Sequence, residues 1–232
     1  MAKQIILPNT DSLADYIANA FLNLMSQIQR QQNYFSVILS GGNTPIAVHE
    51  KIISQALTRP DINWKRIKIF FSDERCVPPD HKDSNYKMVY DTLIEPLNIP
   101  SKNVYRFDCE KEPQLAAKEY ELKLQAIDLA LLGLGTDGHT ASLFPKNFAL
   151  DVTDKLAVAV GKGPDGWQRV SLTYPALNNA RHIWFMITGK EKKMAVQRLL
   201  YGQFDTEKCP ARGVIPNKGE LLYIIDSNAE IK

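Results

Sequence analysis

Apolar residues along this chain fall into two patterns. Short, mostly apolar stretches of strand length recur at 3–7, 35–39, 67–71, 127–132, 181–187 and 221–225. Runs of that length without polar alternation suit strands buried on both faces of a parallel sheet. Between them lie stripes of helical period. The clearest is Leu13, Ile17, Ala20, Phe21, Leu24 and Ile28, with Thr10 or Asp11 placed to cap it. Thr44 as N-cap with Pro45 at the first helical position starts a second helix reaching about Leu57. Asp83 or Ser84 caps a third, to about Leu93; a fourth covers 113–125, and a last one opens near Lys190 and reaches Leu200. Shorter strands are expected at 104–107, 156–160 and 169–173, the last two joined by a turn over 161–166. Strand and helix alternate throughout, which predicts an α/β fold: one doubly wound domain over 1–232, Rossmann-like, with a mainly parallel central sheet flanked by helices.

Composition narrows the function classes. The 232 residues are 44% hydrophobic and 23% charged, those of an ordinary globule, and the net charge of +2 gives no general attraction to nucleic acid or membrane. An anionic ligand must therefore be recognised locally. Cys76, Cys109 and Cys209 are odd in number and far apart, without CxxC spacing, which argues against a disulfide framework or zinc site and for a reducing compartment. The amino terminus lacks the apolar core of a signal peptide and no run approaches transmembrane length, so a cytoplasmic protein is expected.

The chemistry gathers where strands end. The apolar run at 127–132 leads into Gly133-Leu134-Gly135-Thr136-Asp137-Gly138-His139-Thr140-Ala141-Ser142-Leu143-Phe144-Pro145. A Gly-rich turn there lies at the carboxyl edge of the sheet, where open α/β folds bind ligands. Asp137 and His139, two residues apart with little bulk around them, form a pair suited to activating water. Gly133, Gly135 and Gly138 also match the dinucleotide fingerprint. However, they fall mid-chain, with Asp137 where a pyrophosphate would lie and Pro145 where a long helix should run. A plain structural turn, with Asp137 as a cap and His139 solvated, is the competing reading.

A second loop, Ser40-Gly41-Gly42-Asn43-Thr44-Pro45, joins a strand to a helix start. Consecutive glycines crowd backbone N–H groups together at the positive end of a helix dipole, which suits a phosphate monoester; no Gly-Lys-Ser/Thr follows, so it is not a Walker A loop. A tight strand-to-helix turn is the alternative. The third loop, Ser72-Asp73-Glu74-Arg75-Cys76-Val77-Pro78, brings charges to the same edge, and Asp73 or Arg75 could face a ligand there. Lys190, Lys192 and Lys193 make a basic cluster at another strand end, read by default as a solvated helix face.

Together SGGNTP, SDERCVP, GLGTDGHTASLFP, RVSLT and ITGKEK resemble the 6-phosphogluconolactonase family, in the same order and over nearly the whole chain. The superfamily also includes glucosamine-6-phosphate deaminase. The resemblance implies hydrolysis of 6-phospho-D-glucono-1,5-lactone to 6-phosphogluconate, the second step of the oxidative pentose phosphate pathway, with no metal and no organic cofactor. It implies a small-molecule phosphorylated sugar lactone as partner, neither nucleic acid nor membrane, and a monomer or weak homo-oligomer. Catalysis falls to His139 as general base, with Asp137 holding it and Arg75 beside the substrate, stabilising either the lactone oxygen or the phosphate. Substrate binding falls to Ser40, Gly41, Gly42, Asn43, Thr44, Asp73, Arg169 and Lys192. The apparatus is light because a lactone is an activated ester, and an imidazole with ordinary pKa near ~6.5 can take a proton from water at neutral pH. Ser142 lacks a G-x-S-x-G elbow, so direct water attack ranks above a serine nucleophile. Two alternatives stand beside this reading. A deaminase would carry an acid where Phe144 stands, within a block resembling GHIAFNEP. A non-catalytic sugar-phosphate sensor would normally add a DNA-binding segment, for which the chain has no spare residues.

Overall fold

The short, mostly apolar stretches become strands of one parallel sheet. The computed structural model describes residues 2–231. Its strands are β1 (Lys3–Leu7), β2 (Phe35–Leu39), β3 (Ile67–Phe71), β4 (Asp73–Arg75), β5 (Val104–Tyr105), β6 (Leu129–Gly133), β7 (Ala157–Lys162), β8 (Gln168–Leu172), β9 (His182–Ile187) and β10 (Glu220–Asp226). Seven of them form a sheet in the order β1-β10-β9-β6-β2-β3-β5, every neighbouring pair parallel. All five residues of β2 are buried, as an unalternating apolar strand in such a sheet requires. The expected α/β architecture is the one observed.

From β1 at one edge the chain crosses to β2 in the middle, runs outward through β3 to β5, then returns to β6 and on through β9 to β10, which slots in beside β1. The loops that follow β2 and β6 consequently diverge from adjacent strands. That divergence is a topological switch point, and it opens a crevice at the carboxyl edge.

The helices are α1 (Thr10–Gln31), α2 (Asn43–Ala56), α3 (Asn85–Val89), α4 (Pro113–Glu121), α5 (Tyr174–Leu177) and α6 (Lys193–Tyr201). Leu13, Ile17 and Phe21 of α1 are fully buried, each contributing roughly 1.5–3 kcal/mol by leaving water. The α1 cap is Asn9, whose Oδ1 accepts from Ser12 N at 2.8 Å, one residue before the expected positions. Thr10 instead donates to Asp226 Oδ2 at 3.0 Å. The α2 start is also earlier than expected. Gly42, at φ +107°, is the cap residue, and Thr44 shares a 2.7 Å hydrogen bond with Thr188 Oγ1. Pro45 still fits, because the first-turn N–H it lacks would have had no intrahelical partner. Ser84 does cap α3, accepting from Lys87 N at 3.1 Å, and one π-helical turn over Tyr90–Ile94 continues it. The fourth helix stops at Glu121, short of 125, where the Glu121 carboxylate accepts the backbone N–H groups of Leu156 and Ala157 at the start of β7.

Two elements have no counterpart among the sequence-based expectations, the short α5 and the strand β4. The charged triplet of β4, read as loop, pairs antiparallel with β8, and β8 with β7, giving a separate three-stranded sheet. Ser72 alone separates β3 of the large sheet from β4 of the small one. No helix among the described residues is long and apolar enough to cross a membrane.

Candidate active site

A cleft of about 310 Å³ lies at the switch point, bounded by the loops after β2 and β6, by β4 and β8, and by the start of α6. It brings together Ser40, Gly41, Gly42, Asp73, Arg75, His139, Arg169 and Lys192, which are far apart in sequence.

The loop after β6 is folded around its imidazole. Gly135 has to be glycine: a Cβ there would stand 2.0 Å from His139 Nδ1 and 2.6 Å from Asp137 Oδ1. Its amide donates to His139 O at 2.8 Å, and Gly138 N donates back to Gly135 O at 3.0 Å. Gly138 takes φ +94° and packs against the backbone of Cys209. In this tight turn Asp137 Oδ1 accepts both His139 N at 3.0 Å and His139 Nδ1 at 2.6 Å. Half-burial pushes the Asp137 carboxyl up, but the hydrogen bonds and charge of His139 outweigh it and hold the group below the usual carboxylate range. An ionised carboxylate only accepts, so Nδ1 carries a proton, and in the neutral ring Nε2 then holds the lone pair. The ring is partly exposed, and Phe144 packs against it at 4.9 Å between centroids. Asp137 does not itself line the cleft; it stands behind the histidine.

The loop after β2 offers backbone. The Ser40 hydroxyl donates to Leu131 O at 2.9 Å and lies 3.0 Å from Ser72 Oγ, so it joins the ends of β2, β3 and β6. Gly41 lies against Asn85, whose Oδ1 would meet a Cβ at 1.9 Å. Asn43 is exposed and Thr44 is bonded to Thr188; both lie outside the lining residues.

The third wall is charged. Arg75 and Arg169 are register partners across β4 and β8, a placement of like charges that is unfavourable unless anions offset it. Arg75 Nη1 donates to Asp83 O at 2.6 Å, and the Nε atoms of both arginines are buried with no partner among the described residues. Arg169 lies between two carboxylates, with Asp73 Oδ2 3.7 Å from Nη1 and Asp165 Oδ2 2.5 Å from Nη2. Lys192, half-buried in the 3₁₀ turn before α6, adds a further cation.

Two polar lining residues, Asp165 and Asn85, are absent from the sequence-based candidates. Asp165 sits in the 161–166 segment, which carries only a turn signal, and its ion pair depends on how the β7–β8 hairpin folds back. Asn85, at the start of α3, donates Nδ2 to Asp73 O at 2.9 Å. It is held there by Glu74, whose buried carboxylate accepts the N–H groups of Arg75, Asn85 and Tyr86. Burial pushes the Glu74 carboxyl up, and these three backbone hydrogen bonds oppose the shift. Ser142, considered and set aside as a nucleophile, is fully buried and donates its hydroxyl to Asp73 Oδ2 at 2.6 Å.

Fold and cleft together define the class: an α/β protein with a cation-rich cleft at its topological switch point. The chain belongs to the family described as glucosamine-6-phosphate isomerases/6-phosphogluconolactonase, whose model matches residues 8–223. It is 35% identical to the 6-phosphogluconolactonase of a Nostoc species over 97% of this chain and 95% of that one. It is 34% identical to the 6-phosphogluconolactonase of a Synechocystis species over 99% and 98%. The solved structure of 6-phosphogluconolactonase from Thermotoga maritima superposes with a TM-score of 0.86 at 29% identity, covering 98% of this chain and 100% of that one.

Proposed function

We propose that this protein hydrolyses 6-phospho-D-glucono-1,5-lactone to 6-phospho-D-gluconate by direct attack of water. The observation that carries the reading is that His139, oriented by Asp137, lines the same cleft of about 310 Å³ as Arg75, Arg169 and Lys192. Its Nε2 lone pair takes a proton from water as the oxygen adds to the lactone carbonyl carbon. The tetrahedral intermediate collapses by breaking the bond to the ring oxygen. His139 returns its proton to that oxygen, giving the open-chain hydroxyl and the carboxylic acid. Asp137 stabilises the transient imidazolium through Nδ1, and general-base help of this kind typically contributes ~10²–10⁴-fold.

Arg169, Lys192 and the amides of Gly41 and Gly42 hold the phosphate, which exchanges for the Asp165 carboxylate on Arg169. Arg75, opposite Arg169, adds positive charge to the same wall. Fixing the phosphate fixes the reacting carbon relative to the base, so binding energy remote from the bond lowers the barrier. Phe144 packed on His139 favours the lactonase over the deaminase, because the acid that ring-opening and amine chemistry need is absent from that position. On this reading the reaction is the hydrolytic step of the oxidative pentose phosphate pathway, carried out in the cytoplasm by a monomer or weak homo-oligomer without metal or organic cofactor.

A pH-stat assay on freshly made lactone, corrected for spontaneous opening, tests the reading. Acid release well above the uncatalysed rate, with no ammonia from glucosamine 6-phosphate, is the expected result. Ammonia release without lactone opening would reverse the assignment.

A further inference from the structure

Ser142 is the point at which the base-bearing loop meets the charged wall. Its hydroxyl donates to Asp73 Oδ2 at 2.6 Å, and its amide donates to Ser171 Oγ at 3.1 Å. Ser171 is the register partner of Asp73 across β4 and β8. One residue, three positions after His139, thus ties the loop to the strand pair that carries Asp73, Arg75 and Arg169.

The bond matters because of what else Asp73 does. Its Oδ1 accepts from Ser72 Oγ at 2.8 Å and lies 3.4 Å from Asn85 Nδ2, while Oδ2 takes the Ser142 hydroxyl and faces Arg169 Nη1 at 3.7 Å. With both oxygens engaged by hydroxyl donors, the carboxylate has one orientation, and that orientation fixes the guanidinium beside it. Asp73 and Arg169 are each only 6% exposed, so little water competes with these contacts. A nucleophilic role for Ser142 does not fit the geometry. The residue is 0% exposed, is not among those lining the cleft, and has its proton on a carboxylate rather than on a base that faces substrate.

We propose that Ser142 is a positioning residue for the anion-binding arginine: through Asp73 it sets where Arg169 presents its Nη1 edge, and so governs affinity for the substrate phosphate without touching it. Oδ2 of Asp73 is the shared atom, holding the hydroxyl on one side and the guanidinium on the other. When a phosphate replaces Asp165 on Nη2, Asp73 remains as the fixed partner on Nη1. The inference rests on the phospholactone reading for the identity of the anion, yet its core, a hydroxyl that tunes an arginine's anion affinity, can be measured without turnover.

Ser142→Ala, Asp73→Asn and the double variant are compared with the unaltered protein by calorimetric titration with inorganic phosphate and with 6-phosphogluconate, and by kcat and KM on the phospholactone. In Ser142→Ala both dissociation constants and KM are expected to rise about tenfold, the scale of losing a hydrogen bond to a charged group, with kcat within about twofold. In the Asp73→Asn background the same change should have little further effect, because the path it uses is already cut. Unchanged phosphate affinity in Ser142→Ala, a full additional loss in the double variant, or a fall in kcat without a rise in KM would each overturn the proposal. If the unaltered protein opens no lactone but binds phosphate in a Ser142-dependent way, the lactonase reading fails and this one stands.

Discussion

Asp165 places its carboxylate on Nη2 of Arg169 from the tip of the β7–β8 hairpin, so this arginine already holds an anion supplied by its own chain. Asp165 is exposed while Arg169 is buried, and Gly163 of the same tip packs close to Arg169 Nε. An incoming phosphate must exchange with this carboxylate. Asp165→Asn is therefore expected to tighten binding of inorganic phosphate and 6-phosphogluconate by about three- to tenfold, as measured by calorimetry. Equal or weaker binding in the variant would show that the two anions do not compete.

His139→Ala removes the proposed base and leaves the phosphate contacts in place. Turnover is expected to fall by ~10²-fold or more, with the dissociation constant for 6-phosphogluconate nearly unchanged. Near-normal turnover would remove His139 from that role.

Gly135→Ala tests the turn itself. The added methyl would stand 2.0 Å from His139 Nδ1, so the imidazole and the Asp137 carboxylate must separate. A loss of turnover approaching that of His139→Ala, with phosphate affinity retained, is the expected outcome. A fully active variant would mean that the 2.6 Å pairing is dispensable.

Away from the cleft, His49 of α2 is 1% exposed, and burial pushes its imidazole down from the ordinary 6.5 to about 4. Thr92 Oγ1 gives its proton to Met88 O at 2.7 Å and so accepts from His49 Nδ1 at 2.8 Å, which fixes the neutral tautomer. The folded state thus binds the proton more weakly than the unfolded chain. The associated stability is fully present above pH 6.5 and is lost as the pH falls toward about 4, amounting to about 3 kcal/mol over that window. Denaturant titrations of His49→Gln across this range should show a flatter pH dependence. The same slope as in the unaltered protein would assign the acid sensitivity to other groups.

The loops that build the cleft were readable because each follows an apolar strand and carries residue types with a local physical meaning. Consecutive glycines at 41 and 42, an acid and an imidazole flanking Gly138, and an arginine at the head of β8 are visible without coordinates. Other features depend on contacts across the chain. A three-residue strand of Asp, Glu and Arg has no hydrophobic alternation to mark it, so β4 is strand only because β8 is beside it. Thr44 and Pro45 gave a legitimate helix-start signal, displaced because Gly42 could turn the chain two residues earlier at positive φ. The burial of Ser142 and the reach of Asp165 to Arg169 follow from how two loops fold inward, which no local pattern encodes.

The passage through Ser72 from one sheet to the other has a consequence for change. Residues proposed to break the ester ride on the large parallel layer, whereas most of the side chains proposed to grip the substrate's tail ride on the small antiparallel one. Grafting a different 157–172 hairpin that keeps Ser171, the acceptor of the Ser142 amide, could therefore retarget the molecule toward lactones with another anionic handle, such as a sulfate or carboxylate, while the hydrolytic half is inherited.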